Sequence, residues 1–190
     1  MSDLMLTSQS PLSELELDFG EVVVAELVSR AIVSIATPYG GGKKLSEAVA
    51  SSLKTEIPAI GKSTTSNVDR ALLLGMQQDQ MFLLFDYSGN NAVGYLPIEI
   101  RDAGYLTDQS DSWALISILG PKARTTLQQT CSVDLHSSIF HNGVVIRTVM
   151  ANLSTIIVCE EENTFLVLSP RSSAKSFFKV LETSIRNLSQ

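Results

Sequence analysis

The apolar residues of this chain form short, dense runs separated by polar and glycine-rich segments, a pattern that predicts many strands and few helices. Runs rich in Val, Ile, Leu and Phe predict strands at residues 21–28, 31–37, 71–76, 81–86, 113–119, 144–150, 155–159 and 165–168. Helices are predicted at residues 45–54, 96–103, 123–131 and 174–188. Residues 57–67 are predicted to be a loop.

The runs 71–76 and 81–86 form one predicted hairpin, and the runs 155–159 and 165–168 form a second hairpin of similar sequence. Each hairpin follows a strand and a helix, and each precedes a further helical segment. We infer a duplicated ββαββα-type unit, which predicts an α+β, two-layer fold. The predicted domain division is an N-terminal arm at 1–19, a first α+β half at 20–105 and a second half at 106–190.

Composition restricts the class of protein. With 44% apolar and 18% charged residues, the chain is globular rather than disordered. The net charge of -6 argues against a nucleic-acid partner, which would require a basic face. The apolar stretch 22–36 contains Glu26 and Arg30, so it is not expected to enter a membrane. The N-terminus does not resemble a secretion signal, and two cysteines form no disulfide framework, so a cytoplasmic location is expected.

Two lysine-containing glycine segments are candidate phosphate sites. Gly61-Lys62-Ser63-Thr64 matches the end of a P-loop, but Glu56 occupies the position where that motif requires its first glycine. Residues 40–44 precede a predicted helix, whose N-terminus could hold an anion. A flexible turn before a helix is the preferred interpretation of residues 40–44.

The remaining candidate chemistry lies between Thr107 and His141. Cys131, Asp134, His136 and His141 lack the tighter ligand pairs of a zinc site, and His136 is expected to be hydrogen-bonded in the loop after its helix. Asp108 and Asp111 would lie on opposite faces of a strand, so one of them is expected to cap a turn or pair with an arginine. No nucleophile, base and acid are spaced as a catalytic triad. The sequence therefore predicts no catalytic, cofactor-binding or metal-binding residue in this chain.

A series of short motifs nevertheless occurs in a specific order. The motifs are Ser10-Pro11-Leu12, Leu74-Gly75, residues 81–85, Asp108-x-Ser110-Asp111, Gly120-Pro121-x-Ala123-Arg124, Cys131-x-x-Asp134-Leu135-His136, Arg147-Thr148 and Arg171-Ser172-x-Ala174. With these segments in order, the chain resembles the gamma subunit of bacterial heterotetrameric sarcosine oxidase, a family related to the folate-binding domain of the glycine-cleavage T-protein. The resemblance designates ten signature residues with a structural or assembly role: Asp108, Ser110, Asp111, Gly120, Pro121, Asp134, Leu135, His136, Arg171 and Ser172.

The resemblance implies a non-catalytic subunit that works with alpha, beta and delta subunits. Such a complex oxidises sarcosine to glycine, with hydrogen peroxide and either formaldehyde or 5,10-methylenetetrahydrofolate as products. FAD, FMN, NAD and tetrahydrofolate are implied in the partner subunits, zinc is implied in a small subunit, and no cofactor is implied in this chain. This chain is expected to pack against the folate-domain end of the large flavoprotein subunit.

The chain departs from the family pattern at Ser132, where a proline is usual, and at residues 77–80, where the turn normally carries Pro and Trp. These departures leave open which N-methylated amino acid the complex oxidises. Two alternatives remain. One is a stand-alone folate-binding or one-carbon transfer protein, with Asp108, Asp111 and Asp134 as the candidate pterin ligands; the other is an unrelated α+β binding module.

Overall fold

The computed structural model describes residues 9–188. Its strands are β1 Glu16–Asp18, β2 Val23–Glu26, β3 Arg30–Ala36, β4 Ser63–Thr65, β5 Leu72–Gln77, β6 Gln80–Asp86, β7 Tyr105–Asp108, β8 Trp113–Leu119, β9 Val145–Met150, β10 Leu153–Glu161 and β11 Thr164–Pro170. Its α-helices are α1 Gly42–Leu53, α2 Ala92–Tyr95, α3 Ile98–Arg101, α4 Ala123–Thr130 and α5 Ala174–Leu188.

The strands form two antiparallel sheets. The six-stranded sheet has the order β1-β2-β8-β11-β10-β9, and the five-stranded sheet has the order β4-β5-β6-β3-β7. The two predicted hairpins, β5–β6 and β10–β11, lie inside these sheets and are paired along most of their length. The predicted α+β fold class is confirmed.

Three hydrophobic clusters define the layers. One lies between the sheets and contains Ile32 and Leu84 from the five-stranded sheet and Leu166 and Leu168 from the six-stranded sheet. A second packs α1, α2 and α3 on the outer face of the five-stranded sheet, and a third packs α4 and α5 on the outer face of the six-stranded sheet. Each sheet with its helices is thus a two-layer unit, and the two units stack sheet to sheet. Because both faces of the central strands are covered, these strands are buried at consecutive positions.

The strands exchange partners around the predicted domain boundaries. β1 and β2 pair with each other, and β2 pairs with β8 of the second half. β7 pairs with β3 of the first half, and the predicted boundary between residues 105 and 106 falls within it. The predicted division stays a prediction, and residues 1–8 of the predicted arm lie outside the described residues.

Most predicted elements are confirmed to within a few residues, but several short ones are absent from the prediction. The predicted loop 57–67 contains β4, the arm contains β1, and α2 precedes the predicted helix 96–103, which is itself reduced to α3. β4 has the sequence Ser-Thr-Thr and β1 has Glu-Leu-Asp, so neither contains a run of apolar residues from which a strand is predicted. Pairing with a neighbouring strand, rather than local sequence, stabilises both.

Candidate functional site

The signature residues separate into two groups, and the first lies where the chain crosses from one sheet to the other. Asp108 ends β7, and its Oδ1 accepts a 2.9 Å hydrogen bond from the backbone N–H of Ser110. The Ser110 Oγ in turn accepts a 3.0 Å bond from the backbone N–H of Ile32 in β3. The Asp108-x-Ser110 motif therefore forms a turn that fixes the crossing segment to β3. The expectation that one of the two aspartates caps a turn is confirmed.

Arg171 connects this turn to two distant segments. Its Nη2 donates a 2.6 Å hydrogen bond to the carbonyl oxygen of Gln9. Its backbone N–H donates to the carbonyl of Ser112, and its Nη1 lies 3.6 Å from Oδ1 of Asp111. The Asp111 side chain is 97% exposed, so this ion pair contributes little to stability. Ser172, the next signature residue, is exposed in the 3₁₀ turn Arg171–Ser173 that leads into α5.

These residues border the junction cleft, a cavity of about 600 Å³ between the N-terminal segment 9–14, the β2–β3 connection and the turn 108–113. Its lining includes Asp108, Asp111 and Arg171 together with Glu26 and Trp113. A cavity of this size is in the range of small-molecule sites. Its polar groups, however, bond mainly to the chain itself.

Glu26 is one of these polar groups that bond to the chain itself. Its carboxylate is buried and accepts hydrogen bonds from Ser10 Oγ, at 2.8 Å, and from the backbone N–H groups of Leu12, at 3.1 Å, and Glu14, at 2.9 Å. Because a buried carboxylate needs such donors, Glu26 fixes residues 10–14 against β2. The sequence indicated this residue only as a carboxylate at the end of the run Val-Val-Val-Ala-Glu.

The second group of signature residues surrounds the start of α4. Gly120 has φ +122, and a Cβ there would lie 2.4 Å from the carbonyl oxygen of Glu21, so only glycine fits. Pro121 follows it and precedes α4. The nearby Asp134 Oδ1 accepts from the backbone N–H of His136 at 2.8 Å, and Leu135 is fully buried.

Arg124, on α4, holds this second group together. Its guanidinium donates to the carbonyl oxygens of Leu135, Phe140 and Glu162, the last two at 2.8 and 2.9 Å, and lies 4.9 Å from the ring centroid of Phe165. It therefore joins α4, the loop 135–140 and the β10–β11 turn. The sequence placed Arg124 in a motif but did not reveal this role, because its three carbonyl partners are 11 to 38 positions away.

The residues considered for metal binding do not form a group. Cys131 is half-buried, whereas His136 and His141 are exposed. The His136 Nδ1 lies 2.8 Å from Ser138 Oγ, which confirms the expected hydrogen bond in this loop. Within residues 9–188, no three His, Cys, Asp or Glu side chains are arranged to hold a metal ion. Burial raises the pKa of the Cys159 thiol, with a smaller opposing effect from Arg124, so this cysteine is a poor nucleophile.

The glycine-lysine segments have structural roles. The segment Gly61-Lys62 precedes β4 and not a helix, so the P-loop interpretation is excluded. Residues 40–44 do precede and begin α1, and the Lys44 Nζ donates a 2.6 Å hydrogen bond to the carbonyl of Asp102. That lysine therefore joins α1 to the end of α3.

One charged cluster was not recognised from the sequence. Arg30, whose side chain is 12% exposed, donates through Nη2 to the carbonyl of Arg70 at 2.9 Å, and its Nε lies 3.8 Å from Oδ1 of Asp86. Burial lowers the pKa of Arg30, and burial also raises the pKa of Glu160, which Arg30 partly opposes. These groups border a cavity of about 360 Å³ between the two sheets. The only sequence signal was an arginine at the start of an apolar run.

Comparison with known proteins gives a consistent set of similarities. No protein-family model matches the chain. The sarcosine oxidase gamma subunit of Corynebacterium sp. (strain P-1) is 27% identical over 157 residues, covering 81% of this chain and 74% of that protein. The gamma subunit of an Arthrobacter species is 26% identical over 151 residues, covering 78% and 72%. The resemblance to sarcosine oxidase gamma subunits is confirmed.

Solved structures support the same fold. A chain of the heterotetrameric sarcosine oxidase from Corynebacterium sp. U-96, in complex with pyrrole 2-carboxylate, superposes with a TM-score of 0.81 at 20% identity, covering 96% of this chain and 97% of that one. The glycine cleavage aminomethyltransferase T of Bartonella henselae has a TM-score of 0.62 at 13% identity, covering 82% of this chain but 44% of that one. The predicted likeness to the T-protein fold is confirmed. Within residues 9–188, no helix is long and apolar enough to span a membrane.

Proposed function

We propose that this chain is the gamma subunit of a heterotetrameric sarcosine oxidase and that its role in the complex is structural. The observation that carries the structural role is the use of the signature side chains. Asp108, Ser110, Arg171 and Asp134 form hydrogen bonds to the backbone of their own chain. Arg124 does the same beside them. Signature side chains whose hydrogen bonds stabilise the chain's own fold favour a structural role over a catalytic one.

The complex would oxidise sarcosine to glycine, with hydrogen peroxide and either formaldehyde or 5,10-methylenetetrahydrofolate as products. Alpha, beta and delta subunits would be the partners, with FAD, FMN, NAD and tetrahydrofolate held in those partners. The site of action would be the cytoplasm. Support comes from the two curated relatives, each of which matches this chain over more than two thirds of both sequences.

Co-expression with the three partner subunits tests this proposal. An affinity tag on the alpha subunit should recover all four chains in one flavin-coloured complex that oxidises sarcosine. Omission of this chain should lower the yield or the thermal stability of the complex. Full assembly and full stability of the other three subunits without this chain would contradict the structural role.

A stand-alone folate-binding protein is the second candidate, because the chain shares the T-protein fold and has the junction cleft. Asp108 and Asp111 border that cleft, whereas Asp134, the third predicted pterin ligand, lies in the loop after α4 and is not part of its lining. Trp113 lines the cleft, so its fluorescence can report occupancy. Micromolar binding of tetrahydrofolate by the isolated chain would favour this candidate, and an unchanged Trp113 signal would exclude it.

A further inference from the structure

The two sheets cover each other only in part. The core between them draws on β3, β5, β6, β8, β9, β10 and β11, and among residues 9–188 it includes no residue from β1, β2 or β7. The strands β1 and β2 therefore extend the six-stranded sheet beyond the layer that it shares with the five-stranded sheet. The outer face of this extension is covered, since Val22 and Val24 belong to the core beneath α4 and α5. Among residues 9–188, no hydrophobic cluster covers its inner face.

Strand alternation identifies the side chains on that uncovered side. Val24, Ile116 and Ile118 point to the outer core, so their neighbours Val23, Ala25, Ser117 and Leu119 point inward. The register of strand pairing places these residues in two adjacent rows that run across the strands. The first row is Glu16, Ala25, Ser117 and Leu166, and the second row is Asp18, Val23, Leu119 and Thr164. We name the surface of Glu16, Asp18, Val23, Ala25, Ser117 and Leu119 the open inner face.

The open inner face continues an apolar core outward instead of ending it. Leu166, beside Ser117, is fully buried between the sheets. Two residues further out, Leu119 is 39% exposed, and Val23 and Ala25 are half-buried. An antiparallel sheet that faces water normally carries polar residues at such positions. An apolar surface that extends directly from a core is typical of a surface that a partner covers.

Charge defines the chemistry of the partner. The open inner face has two carboxylates, Glu16 and Asp18, and no Lys or Arg among its six residues. Glu16 and Asp18 lie at the outer edge of the open inner face and are exposed. The nearby Lys122 pairs with Glu21, so it does not neutralise this edge. A second copy of this chain would bring the same carboxylates together, and like charges repel.

We propose that the open inner face is the docking surface for a segment of a partner subunit that presents apolar side chains flanked by Lys or Arg. This inference rests on the proposed function, because it assumes that the chain assembles with other subunits. Val23, Ala25 and Leu119 supply the apolar centre of the interface, and Glu16 and Asp18 supply a charged rim that selects a basic partner.

The test compares single variants in co-expression with tagged alpha, beta and delta subunits. Leu119→Asp places a charge in the centre of the proposed interface and should weaken binding of the chain to the other subunits about tenfold or more. Val180→Asp is its matched control, because Val180 is 42% exposed but lies on α5, on the far side of the same sheet. This control should bind like the wild type.

Glu16→Lys tests the charged rim without touching the core, since Glu16 is exposed. It should weaken binding, most strongly at low salt, because electrostatic attraction is screened as salt rises. Glu99→Lys reverses the charge of an exposed residue on α3 and should leave binding unchanged. If Leu119→Asp fails to fold by circular dichroism, the Glu16→Lys result decides.

The outcomes separate this inference from the function on which it rests. If the wild-type chain does not co-purify with the other subunits, the proposed function fails. If the wild type and both test variants co-purify equally, the function stands and the docking surface is wrong. Loss of binding in the controls, or formation of a homodimer that Leu119→Asp disrupts, would also overturn the proposed surface.

Discussion

The guanidinium of Arg171 donates a 2.6 Å hydrogen bond to the carbonyl oxygen of Gln9, which lies 162 positions earlier in the chain. Through this bond the 3₁₀ turn that leads into α5 fixes the beginning of the described residues. The same arginine lies beside Asp111 and bonds through its backbone to Ser112. One signature residue thus joins the N-terminal segment, the crossing between the sheets and α5.

Arg171→Ala should therefore destabilise the chain and release its N-terminal segment. The loss of a charged donor to a carbonyl predicts a decrease of about 1–3 kcal/mol in the free energy of unfolding. Urea denaturation measures that change, and limited proteolysis near residues 9–14 should become faster. Asp111→Asn is the control: its carboxylate is 97% exposed, so the decrease should stay below about 0.5 kcal/mol. Equal losses in both variants would show that the ion pair, and not the bond to Gln9, carries the effect.

The sequence predicted the sheets well and the connections between them poorly. Runs such as residues 81–85 and 165–168 are continuous in apolar residues because both faces of these strands are buried, so they are visible without tertiary information. β4 has no such run and depends on its pairing with β5. Likewise, no local pattern could reveal that Arg171 reaches Gln9, since that contact arises only when the sheets stack. The order of the signature motifs is visible in the sequence, but the residues of the same chain that they contact are not.

Arg124→Lys should destabilise the loop after α4. The arginine donates to three carbonyl groups in two segments, the loop 135–140 and the β10–β11 turn, and a lysine ammonium cannot reproduce its planar fork of donors. We expect a loss of about 2–4 kcal/mol, because two or more part-buried carbonyls lose their donor. Arg147→Lys is the matched control, since Arg147 makes an exposed 3.3 Å bond to Ser154 and should lose less than about 0.5 kcal/mol. A chemical denaturation series on both variants measures the difference, and equal losses would contradict the proposed role of Arg124.

Gly120→Ala should be among the most destabilising single-methyl changes in this chain. Its φ of +122 is strained for an L-residue, and the added Cβ would lie 2.4 Å from the carbonyl oxygen of Glu21. Strain and overpacking together predict a loss of about 2–5 kcal/mol. Gly40→Ala separates the two causes, because Gly40 has φ +71 and open space around it, which predicts only about 1–2 kcal/mol. Thermal unfolding of the two variants should rank them in this order, and an equal or smaller loss in Gly120→Ala would contradict the predicted clash with the Glu21 carbonyl.

Glu160→Gln should stabilise the chain at neutral pH and have little effect at acid pH. Burial raises the pKa of Glu160 above its ordinary value, with Arg30 opposing that rise and Glu161 adding to it. The folded chain therefore binds the Glu160 proton more tightly than the unfolded chain does. This contribution to stability is fully present below the ordinary carboxyl pKa and is lost as the pH rises through the folded pKa. Glutamine keeps the neutral form at every pH, so the stability of the variant should exceed that of the wild type only above that range. Denaturation midpoints between pH 4 and pH 8 measure the stability difference between the variant and the wild type. Glu162→Gln is the control, because Glu162 is an exposed residue near Glu160. A Glu160→Gln variant that loses stability at neutral pH would instead mean that attraction between Glu160 and Arg30 outweighs the cost of burying the carboxylate.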